Sequence, residues 1–124
     1  LKGGLWSTDT NLSIVNDDVW KYAIRVKEDA LEGEINAFSI PGIMKIQGWD
    51  FIDILKLDIE GSEVEILSKH SELWVEKIGM LIIELHPSLD EKCARVLFDA
   101  FSNKDFNLQW SGENLALIFK NQNN

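Results

Sequence analysis

A chain of 124 residues allows one domain with one real core that needs no cross-links. Hydrophobic residues make up 45% and charged residues 27%, which excludes a disordered tail. Twelve Lys and Arg against twenty-one Asp and Glu leave a formal net charge of −9, so nucleic acids and anionic membrane surfaces, which need clustered positive charge, are not expected as partners.

The single cysteine, Cys93, rules out an internal disulfide framework and a cysteine-built zinc cluster, and it fits a reducing, cytoplasmic compartment. Its place on an apolar helical stripe reads as a buried structural thiol rather than a nucleophile. No stretch approaches the roughly 18 apolar residues of a membrane span. The first residue is Leu1 and not Met, as expected of a processed chain or of a piece of a longer one.

In chain order, residues 1–48 read as a β-rich region. Gly4-Leu5-Trp6 and Leu12-Ser13-Ile14-Val15, separated by the turn-rich Ser7-Thr8-Asp9-Thr10-Asn11, predict a hairpin with a longer loop. Trp20, Tyr22, Ile24 and Val26 alternate as a strand does. Residues 35–40 predict another strand, closed by Pro41, which suits the first turn of a short helix reaching Lys45 or Ile46.

Residues 49–120 read as an α/β region. The run 52–58 is apolar with little alternation, the pattern of a strand buried on both faces of a parallel sheet. Ser62 and Glu65 have capping-box spacing and predict a helix over 63–70, with Val64, Ile66 and Leu67 turned inward. It ends near His70, and a shorter piece carrying Leu73 and Trp74 starts at Ser71. A second buried strand over 80–85 is stopped by His86-Pro87. Ser88 and Glu91 repeat the capping spacing before a helix over 89–102, whose stripe is Leu89, Cys93, Val96, Leu97, Ala100 and Phe101. Strands at 106–110 and 115–119, joined by Ser111-Gly112-Glu113-Asn114, form an antiparallel hairpin, and residues 121–124 fray. The fold class is α/β, a mostly parallel sheet with strands 52–58 and 80–85 adjacent and the hairpin beside them.

Open α/β sheets bind ligands beyond the carboxyl ends of their strands. Here one strand ends in Asp58, followed by Glu60 and Gly61, and the next ends in Glu84 and His86. If these strands are neighbours, the four ionisable side chains share one rim, where they can hold a divalent cation, take a proton from a hydroxyl or face a cationic cofactor. The plainer reading is that strands end at the surface and their last residues are therefore polar. Gly61 allows close approach of a ligand to the backbone, or simply makes a tight turn. Lys56, inside an apolar strand, snorkels at a sheet edge or pairs with a carboxylate. His70 reads as a surface residue at a helix end, Ser62 as a cap, and Trp6, Trp20 and Trp49 as packing residues before pocket residues. The eight glycines, at 3, 4, 33, 42, 48, 61, 79 and 112, form neither a Gly-x-Gly-x-x-Gly nor a Walker-type loop.

The run Ile52-Asp53-Ile54-Leu55-Lys56-Leu57-Asp58-Ile59-Glu60-Gly61-Ser62-Glu63, continuing into Val64-Glu65-Ile66-Leu67, resembles the signature of the FkbM-type methyltransferases. Leu81-Ile82-Ile83-Glu84-Leu85-His86 resembles that family's next strand, and Gly4-Leu5-Trp6 with Leu12-Ser13-Ile14 its inserted β-hairpin. The resemblance implies the C-terminal half of a Rossmann-like class I methyltransferase sheet, the last four of seven strands. It implies S-adenosylmethionine as cofactor in the complete domain, a divalent metal as an option, and O-methylation of a hydroxyl on a small molecule or sugar. Asp58 and Gly61 would lie toward the methyl donor, and Asp58, Glu60, Glu84 and His86 would be the base or the metal ligands. The glycine loop and acidic ribose-binding residue of the family's first half have no counterpart here, so this chain alone is expected to be inactive. Two other classes stay open. One is a non-catalytic α/β module that packs against a partner. The other is a phosphatase-like site, in which Glu60 departs from the Asp that the aspartyl-nucleophile motif requires.

Overall fold

The computed structural model describes residues 1–15, 25–59, 62–84 and 92–120. They build two four-stranded mixed sheets and three helices.

The N-terminal sheet contains β1 (Gly4–Leu5), β2 (Thr10–Val15), β3 (Arg25–Glu28) and β4 (Ile35–Phe38), in the order β1-β4-β2-β3. The expected hairpin of the first two strands does not form. β4 lies between them, parallel to β1 and antiparallel to β2. Two sets of bonds explain why. The Trp6 amide donates to the Phe38 carbonyl at 3.0 Å. One Asp9 oxygen, Oδ1, accepts from both the backbone N–H and the hydroxyl of Ser39, at 2.7 and 3.0 Å. The 7–9 loop is thereby tied to the end of β4 instead of closing back on β1. Of the strand expected over 20–26, the described part is β3, which runs on to Glu28; Trp20 lies outside the described residues.

Ser39 then caps α1 (Ile40–Gln47), its hydroxyl accepting from the Gly42 N–H at 3.0 Å, with Pro41 in the first turn as expected. Gly48 ends the helix at φ 69°, a left-handed value that suits glycine.

The C-terminal sheet contains β5 (Ile52–Leu57), β6 (Ile78–Glu84), β7 (Phe106–Ser111) and β8 (Asn114–Phe119), in the order β5-β6-β8-β7. β5 and β6 are parallel neighbours, with Leu55 opposite Leu81 and Leu57 opposite Ile83. β8 runs against β6 and against β7, so β8 alone opposes the other three strands. The hairpin turns at Gly112, φ 61°.

α2 (Glu63–Ser68) and α3 (Cys93–Ala100) are shorter than their sequence patterns suggest. Ile66, Leu67, Leu97 and Phe101 pack in one buried cluster with Leu57, Leu81, Ile83, Leu115 and Leu117, joined by Ile40 and Met44 of α1. Phe101 stacks on Phe119 at 4.9 Å and meets Trp74 edge-on at 6.1 Å. Cys93 is buried, in keeping with a structural thiol.

Three further expectations are corrected. β5 is not buried on both faces: it is the terminal strand of its sheet, and Ile54 is 59% exposed. The Ser62–Glu65 capping box does not form. Ser62 makes no side-chain cap, and the Glu65 carboxylate is instead engaged by the Ser7 hydroxyl at 2.6 Å and by Lys69 at 3.0 Å. Trp49, expected to pack, is half exposed. The second capping box, Ser88 with Glu91, lies outside the described residues, as do Leu89 and the 121–124 tail.

Candidate functional site

The β5–β6 register fixes the geometry of the rim. Leu57 and Ile83 are the last paired residues, so Asp58 and Glu84 follow side by side at the carboxyl ends of two parallel strands roughly 5 Å apart. Asp58 is exposed, whereas Glu84 is half-buried and sits opposite Asn114 of β8. The chain leaves β5 through Asp58 and Ile59 and enters α2 at Glu63, which is buried. Thus the structure brings two of the candidates, Asp58 and Glu84, to one end of the sheet. Glu60, Gly61 and His86 lie outside the described residues. Among the described residues no group of three His, Cys, Asp or Glu side chains is placed to hold a metal ion.

The remaining candidates fall into ordinary roles. Lys56 is exposed on the terminal strand, as the snorkelling reading requires. His70 stands two residues beyond α2 at φ 60°, where it opens the 3-10 turn Ser71–Leu73, and its Nδ1 lies 4.0 Å from Glu72. Trp6 donates from Nε1 to Glu28 at 3.3 Å.

Two polar features escaped the sequence reading. The Ser7–Glu65 bond ties the N-terminal loop to α2, which starts beside the rim. Nothing in either sequence neighbourhood signals it, since the residues are 58 positions apart. The second is a cleft of about 500 Å³ on the N-terminal sheet, lined among others by Asp9, Asn11, Asn36 and Phe38. Asn11 and Asn36 meet only through the β2–β4 register, which no local sequence pattern signals. Nearby, Asp29 accepts from the Glu32 N–H at 3.0 Å and from the Ser13 hydroxyl at 2.8 Å, and these bonds hold its carboxyl below the usual carboxylate range.

The profile of the methyltransferase FkbM domain matches residues 9–116. The chain belongs to the FkbM methyltransferase family. The match runs from Asp9, in the loop before β2, to Ala116 in β8, so it takes in β2, β3 and β4 of the N-terminal sheet and begins after β1. No curated protein and no solved structure matches the chain. No helix among the described residues is long and apolar enough to cross a membrane.

The FkbM family uses S-adenosylmethionine in general. Among the described residues, the glycines with positive φ are Gly48, at the end of α1, and Gly112, in the β7–β8 turn. Neither stands at the carboxyl end of β5 or β6.

Proposed function

We propose that this chain is the acceptor-side half of an S-adenosylmethionine-dependent O-methyltransferase with a Rossmann-like sheet, and that its substrate is a hydroxyl on a small molecule or sugar. The observation that carries this reading is the placement of Asp58 and Glu84 just beyond the last paired residues of two adjacent parallel strands, in a chain of a methyltransferase family. Methyl transfer to a hydroxyl needs an aligned acceptor, a group to take its proton, and exclusion of water. Asp58, Glu60, Glu84 and His86 are the groups proposed for proton removal, or for holding a divalent ion that acidifies the hydroxyl. Asp58 and Gly61 are proposed to face the methyl donor. The donor's main contacts would come from polypeptide beyond these residues. The chain's single cysteine, Cys93, is buried, which supports a cytoplasmic setting.

Two features support a companion half. β5 ends its sheet, and the side of the sheet bearing Ile54, Met80, Ile82, Ala116 and Ile118 is only partly covered or exposed. Parallel strand pairs are ordinarily covered on both faces. The same features also fit a non-catalytic module that packs against a partner.

The experiment is transfer of labelled methyl from S-adenosylmethionine to an acceptor hydroxyl by the protein in its full natural length. Asp58→Asn and Glu60→Gln should abolish transfer without lowering the melting temperature. Absence of both cofactor binding and transfer in the full-length protein would favour the packing module.

A further inference from the structure

The geometry points to a second binding place, the cleft on the N-terminal sheet, which takes a neutral polyhydroxylated ring: a sugar unit. The cleft has a volume of about 500 Å³, within the range of small-molecule sites, and is lined by Asp9, Thr10, Asn11, Asn36, Phe38 and Ile46 together with two alanines.

Asn11 and Asn36 are in-register partners across β2 and β4, so their side chains leave the sheet on one face, about 5 Å apart. Each carboxamide offers two N–H donors and an acceptor oxygen. The Asn36 carboxamide has no hydrogen-bond partner among the described residues, and the Asn11 carboxamide makes only a long 3.5 Å bond, donated from Nδ2 to the Ala30 carbonyl. Neighbouring sugar hydroxyls each donate and accept, which is the complement of two carboxamides side by side.

Phe38 adds an apolar ring, two residues along β4 on the same face as Asn36. Gly3 keeps that ring close: a Cβ there would come within 2.8 Å of Phe38 Cε2 and 2.3 Å of the Asn36 carbonyl oxygen. An aromatic ring beside paired polar groups suits a ligand with an apolar C–H face and a hydroxylated edge.

The charge pattern selects a neutral ligand. Among the described residues Asp9 is the one ionisable side chain of the lining and no Lys or Arg lines the cleft, and the whole chain carries −9. Phosphorylated or carboxylated sugars are therefore disfavoured. A purely apolar ligand would strip water from both carboxamides without replacing it.

Sugar binding stands on this cleft alone. Its use in holding a methyl acceptor rests on the methyltransferase reading.

The test is a titration of the ¹⁵N-labelled protein, followed by NMR, with methyl α-glucoside, methyl α-mannoside and methyl α-galactoside. Maltotriose forms a parallel arm that distinguishes a glycan from a free sugar, and glucose 6-phosphate is the charged control. At least one neutral sugar should give saturable shifts at the side-chain amides of Asn11 and Asn36. Asn36→Ala, at an exposed position, should weaken that binding about fivefold or more, the loss of roughly one hydrogen bond, while the rest of the spectrum stays unchanged. Asn107→Ala, on β7, should leave it intact. Absence of saturable shifts up to about 100 mM sugar, a range well past millimolar affinity, would overturn the inference. So would shifts confined to other faces, or equal binding of glucose 6-phosphate. Sugar binding by a protein that transfers no methyl group would keep this inference and remove the methyltransferase reading. Methyl transfer with a silent cleft would do the reverse.

Discussion

Asp29 shows how single side chains hold the N-terminal region. The Glu32 amide and the Ser13 hydroxyl both bond its carboxylate and hold its pKa below the ordinary value. A carboxyl with a depressed folded pKa contributes stability that is present above its unfolded pKa, about 4, and is lost as pH falls through the folded value. The protection of the Glu32 and Gly33 amides, their exchange relative to an unstructured chain at the same pH, should therefore hold near neutrality and fall below about pH 4. Asp29→Asn should remove that pH step, as hydrogen exchange followed by NMR would show. Ser7 is a second case. Its hydroxyl, largely buried, donates to a Glu65 that is also paired with Lys69. Ser7→Ala should cost about 1.5–3 kcal/mol in a denaturant melt, the worth of a hydrogen bond to a charged group. At the rim, Asp58 is exposed and adds little to the core, so Asp58→Asn should spare the melting temperature while removing methyl transfer. If Asp58 served α2 instead, the melting temperature would fall and turnover would stay.

Among the elements, the segment at the end of α3 carries the most concentrated packing. Phe101 is fully buried between Trp74 and Phe119. Truncating a buried Phe to Ala typically costs about 3–5 kcal/mol, a large part of the 5–15 kcal/mol that a domain usually has. Phe101→Ala should therefore shift the denaturation midpoint far more than Phe98→Ala, since Phe98 is partly exposed on the same helix. β5 presents the opposite situation, a terminal strand with an apolar side chain, Ile54, in solvent. Charges on edge strands block unwanted pairing. Ile54→Lys should reduce concentration-dependent association of the 124-residue chain in sedimentation experiments, with a change in stability of less than about 0.5 kcal/mol.

At the scale of the whole molecule, the half-covered sheet and the lack of a Gly-x-Gly-x-x-Gly loop lead to one expectation. Calorimetry on the 124-residue chain should detect no tight S-adenosylmethionine binding, and micromolar affinity would contradict the acceptor-side reading. What the sequence determined by itself was largely local or periodic. The 52–58 and 80–85 runs, the hairpin around Gly112, Pro41 at the start of a short helix, and the Cys93–Leu97–Phe101 stripe each declare themselves within a few residues. The signature around Asp58 to Glu63 was equally legible, and it pointed to the family that residues 9–116 match. Tertiary structure decided what depends on residues far apart in the chain. β4 displaced the expected β1–β2 hairpin because Asp9 bonds Ser39, 30 positions away. Glu65 is engaged by Ser7, 58 positions away, instead of in a capping box. β5 was exposed although its composition is that of a buried strand, because burial depends on which neighbours are present and not on the strand's own residues. Asn11 and Asn36 met across two strands for the same reason: pairing register is set by the whole sheet, and no local pattern encodes it.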